Sequence, residues 1–375
     1  MNEPASFGTN EDNPWYYADL DHPDPKPLRC PTKGTDAVWD KPPYETYNVY
    51  NYGKALGVSN LAVQSSTLAE KTVCMLGLQA NGTQRVYNVK SIYGWSQAKA
   101  TLPAQHAMTG KRGLVISRST FASAGRYSGH WLGDNSATWL DLEASVIGAQ
   151  EFNMFGMPYV GSDICGFNGD TTEELCLRWH QMGAFHPFMR NHNTKGSLPQ
   201  DPARWTTVTK ATIKATLFRY KYLPFLYSLH FAASMHGGTV IRPVFFEFPH
   251  DHATYNLGYQ FMWGKSMLIA PVVKGGTKSV RVYLPNGAWY SLYDYNYGEW
   301  ILSEGTAKGF LYWDDGESII HSYDTYKYCH WEFKYKVDKN GAALTIHTKR
   351  SCDVSHISIG INHVTVKGER GQIKL

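Results

Sequence analysis

The sequence predicts an α/β fold with a parallel sheet, followed by an all-β region, and three observations lead there. Short apolar runs alternate with helical patterns between about residues 85 and 250. A stretch crowded with prolines and turn residues precedes them. Beyond residue 260 the apolar residues alternate with period two and no helical period returns.

The leading stretch has prolines at 14, 23, 25, 27, 31, 42 and 43, with aspartates and asparagines among them, so it reads as a loop excursion. Cys30 and Cys74 bracket it, and a disulfide between them would close it at its base. Residues 88–108 then read as a helix, and Leu114-Val115-Ile116 as a buried strand. Trp139, Leu142, Val146, Ala149, Phe152 and Phe155 fall at spacings of three or four, which places them on one helical face. Tyr159-Val160-Gly161 is a second strand candidate, Leu175, Trp179 and Met182 mark another helix, and Phe188–His192 is a third strand. A long helix is expected over about 206–235, with Pro224 inside it, and Val240–Phe248 as a fourth strand. Four such units make half of an eightfold barrel or a small open sheet. Further on, Val280, Val282 and Leu284 alternate ahead of the hairpin signal Asn286-Gly287.

Composition narrows the function. The chain is 43% hydrophobic and 18% charged, which is a folded globular balance. Its net charge of +4 is spread without any run of five like charges, so no nucleic-acid surface is expected. No apolar stretch approaches the roughly 18 residues that cross a membrane. Tyr, Trp and Phe make up 14% of the chain, and flat rings with polar tips suit sugar faces as well as a large core. The sequon Asn81-Gly82-Thr83 and an even number of cysteines lean toward an oxidising lumen.

In a parallel βα barrel, chemistry sits where strands end. Arg118, Asp163 and His192 follow the first three strand candidates, and Asp134 lies in the glycine-rich loop 125–135 beside Tyr127 and Trp131. A carboxylate, an arginine, a histidine and several rings suit glycosidic cleavage, which needs one carboxylic acid to protonate the leaving oxygen and a second to attack or activate water. The alternatives are a structural ion pair for Arg118 and Asp163 and a hydrogen-bonded core histidine for His192. His250-Asp251-His252 lacks helical spacing and a third ligand, so it reads as a polar loop, and no metal or cofactor is expected. Ser128, His130 and Asp134 lack the glycines of a nucleophile elbow.

Met1-Asn2-Glu3-Pro4, Arg118-Ser119-Thr120-Phe121, Gly129–Asn135, Asp163–Phe167 and Arg190-Asn191-His192-Asn193 occur in this order. Together they resemble the active-site signatures of glycoside hydrolase family 31 over most of residues 1–300. Cys165, Glu173-Glu174-Leu175, Cys176 and Arg178-Trp179 resemble its lysosomal acid α-glucosidase and maltase branch, and Phe188-Met189-Arg190 with Ser197–Gln200 leans toward the lysosomal side. The resemblance implies the second half of a (β/α)8 TIM barrel and a sandwich-like all-β C-terminal region. It divides the chain into a disulfide-closed excursion (1–80), the half-barrel (81–255), a proximal β domain (256–303) and part of a distal β domain (304–375).

It also implies roles. Asp134 matches the general acid/base, which must hold a proton when it first acts. Arg118 and His192 match residues that bond hydroxyls of the sugar. Trp131 and Phe167 match its aromatic walls, Asp163 a carboxylate that lines the cleft and orients Arg118, and Met1 a further substrate contact. Cys30–Cys74 and Cys165–Cys176 match family disulfides, whereas Cys329 and Cys352 stay open. The substrate implied is a terminal α-1,4-linked glucose of maltose- or glycogen-like chains, and the location lysosomal or secreted.

Two departures accompany these expectations. In the family the nucleophile aspartate immediately precedes the Met-Asn-Glu motif, so it is expected upstream of Met1, and a linking segment is shortened near residue 303. A catalytically inactive sugar-binding fragment is therefore the competing reading. A glycan-trimming glucosidase of the endoplasmic reticulum is a third, opposed by the paired cysteines and the lysosomal-type motifs.

Overall fold

The computed structural model describes residues 2–6, 8–10, 27–44, 46, 67–287, 289–292, 305–338 and 341–352. The chain forms two compact units, Met1–Thr101 with Ser117–Ala124, and Leu102–Ile116 with Gly125–Leu375.

In the first unit the Cys30–Cys74 disulfide forms, with Cα atoms 5.3 Å apart. Beside it the buried Asp40 accepts a hydrogen bond from the Met75 amide at 3.2 Å, and its own carbonyl accepts from Leu68. A short 3-10 turn, Thr35–Trp39, interrupts the excursion. β1 (Leu78–Gln79) pairs antiparallel with β2 (Gln84–Arg85). Ala80, Asn81 and Gly82 all take positive φ in the turn between them, which leaves Asn81 exposed at its tip. α1 (Val86–Val89) and α2 (Tyr93–Thr109) follow, and α2 continues into the second unit.

The next strands are short, two or three residues each. β3 (Ile116–Ser117) begins just after Val115, whose carbonyl accepts from Gly129 at the start of β4 (Gly129–Trp131). β4 pairs parallel with β5 (Val160–Gly161), in register His130 to Val160. After Ser162 the same run continues as β6 (Asp163–Ile164), parallel to β7 (Arg190–Asn191). At Gly161 a Cβ would collide with the Phe188 carbonyl, so that strand contact requires glycine.

Helices cover these strands for local reasons. Thr138 caps α3 (Trp139–Met154) by accepting from the Asp141 amide, and Thr172 caps α4 (Glu173–Gly183) by accepting from Leu175. Glu173 and Glu174 sit in the first turn of α4, where the helix dipole favours negative charge. α5 (Thr206–His236) runs 31 residues through Pro224 and ends at Gly237, φ 74°. Leu142, Val146 and Ala149 of α3, Trp179 of α4 and Val160 and Ile164 of the strands form one core, each 0–1% exposed.

Four stretches fold differently from what the sequence predicts. Val240–Phe248 is not a parallel strand. Only Ile241–Pro243 (β8) is extended, and it pairs antiparallel with β9 (Phe261–Trp263), which pairs with β10 (Met267–Ile269). The missing parallel strand is β4, hidden in the glycine-rich loop because Gly-His-Trp carries no β-branched residue. Val280, Val282 and Leu284 form no strand and are 38–45% exposed, and Asn286-Gly287 is a bend. Phe155 lies beyond α3 as its C-cap and is exposed. The C-terminal sheet is β11 (Gly305–Trp313), β12 (Cys329–Asp338) and β13 (Gly341–Arg350), antiparallel in that order. Cys329 is bonded to Cys352.

This sheet is joined to α5 by Asp314, which follows β11 and is 4% exposed. Its carboxylate accepts from Arg112 (2.8 Å), Tyr227 (2.8 Å), Tyr312 (2.6 Å) and Tyr326 (3.2 Å). Burial alone would raise its pKa, but these bonds outweigh it and hold the carboxyl below the usual range. Phe231 of α5 stacks on Tyr312 at 3.9 Å.

His186 gives the fold a pH dependence. It is 1% exposed, neither ring nitrogen has a partner among the described residues, and burial together with Arg219 pushes its pKa down to about 3. Below an ordinary histidine pKa of about 6.5 the unfolded chain takes up a proton that the folded chain refuses. Stability contributed by neutral His186 is therefore lost as pH falls from about 6.5 toward 3, by up to about 1.4 kcal/mol per pH unit. Urea denaturation at pH 7 and pH 5 should show His186→Phe losing less stability on acidification than the parent; parallel losses would contradict this.

Candidate active site

The C-terminal ends of the parallel segments bring most of the expected residues together. Asp163 of β6 is fully buried, and its Oδ1 accepts from Arg190 Nη2 at 2.6 Å and from Trp131 Nε1 at 2.9 Å. One carboxylate thus ties β4, β6 and β7. The cation that Asp163 meets within the second unit is Arg190. The Arg190 guanidinium also lies 5.2 Å from the ring centres of both Trp131 and Phe188. Burial raises the Asp163 pKa, opposed by Arg190, by His192 and by the Trp131 bond. Its Oδ2 has no partner among the described residues, which leaves half the carboxylate ready to accept from a hydroxyl.

Phe167 and His192 lie side by side, ring centres 5.0 Å apart, with His192 exposed. The loops that carry them are pinned by polar side chains. Asn135 donates to the Asp163 carbonyl at 3.0 Å and accepts from the Phe167 amide at 3.1 Å. Gln200, 4% exposed, places its amide nitrogen 3.0–3.1 Å from the carbonyls of Ile164, Gly166 and His192. The Cys165–Cys176 disulfide forms, and Gly166 (φ 94°) passes so close to Ala137 that a side chain there would strike its backbone. His180 lies against the disulfide, its Nδ1 2.8 Å from the Cys176 carbonyl, while Asn191 donates to its Nε2 at 3.3 Å. Cys165, Cys176 and His180 have their ligand atoms together, but both sulfurs are spent on the disulfide. Arg219 donates to the carbonyls of Ala184, His186 and Pro187 and so fixes the chain entering β7.

Asp134 is exposed three residues past β4, and the Asn168 side chain bonds its backbone carbonyl at 3.3 Å. Arg118 belongs to the first unit, where it forms a two-pronged pair with Glu3 at 2.8 and 3.2 Å. Asn2 there donates to the carbonyls of Gly94 and Ser119 and accepts from the Ser119 amide. Met1 lies outside the described residues. Arg190, Asn135 and Gln200 carry structural duties that no role in the sequence reading covered. The signal for Arg190 was present, as a lone cation after Phe188-Met189. Of the motifs discounted earlier, His130 stacks on Phe152 at 3.6 Å, and Asp251 caps the turn His252–Thr254 and accepts from Tyr283.

The family description "Glycosyl hydrolases family 31 TIM-barrel domain" matches residues 1–229, and the "Glycosyl hydrolase family 31 C-terminal domain" matches residues 237–320. The chain belongs to glycosyl hydrolase family 31. It is 48% identical to the lysosomal alpha-glucosidase of Rattus norvegicus over 231 residues, covering 61% of this chain and 24% of that protein. It is 41% identical to "Probable maltase-glucoamylase 2" of Homo sapiens over 278 residues, 73% of this chain and 10% of that one. A glucosidase II alpha subunit, solved with Glc1Man2 bound, shares the fold with a TM-score of 0.67 at 24% identity, over 77% of this chain and 36% of that one. The chain thus spans only a minor part of the length of the relatives it matches, from about a tenth to about a quarter for these two curated proteins.

Asp163 and Arg190 test the logic of the cluster. Arg190→Met strands a buried carboxylate and should cost about 3–5 kcal/mol in urea denaturation, whereas Asp163→Leu with Arg190→Met should cost clearly less. Equal losses would mean that the pair does not organise the strand ends.

Proposed function

We propose that this chain is the later part of a retaining α-glucosidase that removes terminal α-1,4-linked glucose from maltose- or glycogen-like substrates. The observation that carries the reading is the grouping of Trp131, Asp163, Phe167 and His192 at the strand ends where Asp134 also emerges. In this reading Asp134 protonates the leaving oxygen and then takes a proton from water. Asp163 Oδ2, His192 and Arg118 accept from or donate to the hydroxyls of one glucose unit, and Trp131 and Phe167 shape its walls. Met1, by its match to the family motif, is a further substrate contact in this reading. The second carboxylate is the family aspartate that stands immediately before Met-Asn-Glu, and residues 81–255 are the second half of the barrel. Three disulfides and the exposed Asn81 sequon support a lysosomal or secreted setting, with Asn81 glycosylated.

The competing reading is a sugar-binding protein without catalysis. Hydrolysis of a chromogenic α-glucoside by residues 1–375, and by a chain extended upstream to include the aspartate, separates them. The extended chain should release glucose with its α configuration retained, and residues 1–375 alone should be several decades slower, because a covalent nucleophile is missing. Activity of residues 1–375 within about tenfold of the extended chain would refute the assignment of the nucleophile; no activity in either would favour the binding protein.

A further inference from the structure

A second concavity lies in the same unit at the opposite ends of the strands. It has a volume of about 580 Å³, within the range of about 300–1,000 Å³ usual for small-molecule sites. Val115, Gly129 and Tyr159, at the N-terminal ends of β3, β4 and β5, form its floor, whereas Asp134 follows the other end of β4. Its walls come from the second half of α2, from α5 and from the C-terminal sheet. They include the rings of Tyr127, Tyr159, Phe231 and Tyr312.

Three buried polar atoms of the lining residues have no hydrogen-bond partner among the described residues: His106 Nε2, Arg112 Nη2 and His230 Nε2. Their chemistry selects a ligand. Arg112 Nη2 can only donate, and its charge is already balanced by Asp314 at 2.8 Å. His230 Nδ1 lies 2.9 Å from the Leu226 carbonyl and must donate to it, which leaves Nε2 as an acceptor while the ring is neutral. Burial lowers the His230 pKa and so favours that neutral form. A carboxylate has no proton to give His230, and a phosphate, although its P–OH could donate, brings charge to a cavity whose arginine is already neutralised by Asp314. An ammonium has no lone pair to take a proton from Arg112. A hydroxyl does both, and the aromatic walls suit the apolar face of a ring.

We propose that this cavity is a second carbohydrate site, which takes a neutral pyranose unit with its hydroxyls on His106, Arg112 and His230 and its ring against the tyrosines. The ligand class follows from the cavity's own donors and acceptor and does not depend on Asp134 being catalytic.

Histidine-selective NMR of residues 1–375 titrated with maltose tests it, with the signals assigned through His106→Phe and His230→Phe. The His106 and His230 signals should move together and saturate with one dissociation constant. His106→Trp, which fills the cavity from α2, should weaken that constant by at least about tenfold while leaving the His192 response unchanged. His106→Leu, a smaller change on the same half-exposed helix face, should also weaken it and serves if the tryptophan variant does not fold. Unmoved His106 and His230 signals would overturn the proposal, as would an equal response to inorganic phosphate or an affinity unaffected by both variants. A response at His106 and His230 with none at His192 would support this site and count against the catalytic reading instead.

Discussion

The carboxylate of Asp163 is buried completely and answered on one oxygen by Arg190 and Trp131, and the candidate site is arranged around that arrangement. A buried carboxylate is costly unless charge and hydrogen bonds meet it. Here the groups that meet it come from two other strand ends, so satisfying one charge also sets the relative position of β4, β6 and β7. Trp131 and Arg190 are held as a consequence, and the loops to Phe167 and His192 leave from fixed points. The second oxygen, without a partner among the described residues, is the part of the network left for something else to use.

Around this centre the supports are polar rather than apolar. Gln200 and Asn135 hold carbonyls of the two loops, and Arg219 holds three more before β7. Each occupies backbone groups that short strands leave unpaired, since β5, β6 and β7 have two residues each. Strands this brief cannot define loop geometry through ladder bonds alone. Far from the site, Asp314 plays a comparable part by gathering Arg112 and three tyrosines where the C-terminal sheet meets α5.

Much of this was legible in the sequence where the signal was periodic or stereochemical. The helix over 139–154 follows from the three-and-four spacing of its apolar residues, the long helix expected over about 206–235 is found at 206–236, and two disulfides follow from the family resemblance. Strand β4 was not legible, because its three residues are Gly, His and Trp and it is recognisable only by what lies beside it. Residues 240–248 misled because an apolar run has the same appearance in a parallel and an antiparallel sheet. The pairing of Arg190 with Asp163 was closed to sequence reasoning too, since which strand ends meet is decided only in three dimensions. The motif order, by contrast, was enough to lead to the family that both domain descriptions match.

The central claim is that Asp134 is the acid/base of a retaining glycosidase site. Its most direct test is azide rescue of Asp134→Ala in the chain extended upstream through the nucleophile aspartate. The account predicts that maltose hydrolysis falls about 10²–10⁴-fold. With an activated substrate whose leaving group needs no proton, such as α-glucosyl fluoride, added azide should then restore turnover by attacking the glucosyl–enzyme in place of activated water, releasing α-glucosyl azide. Hydrolysis that stays within about tenfold of the parent, or a slow variant that azide does not accelerate, would contradict it.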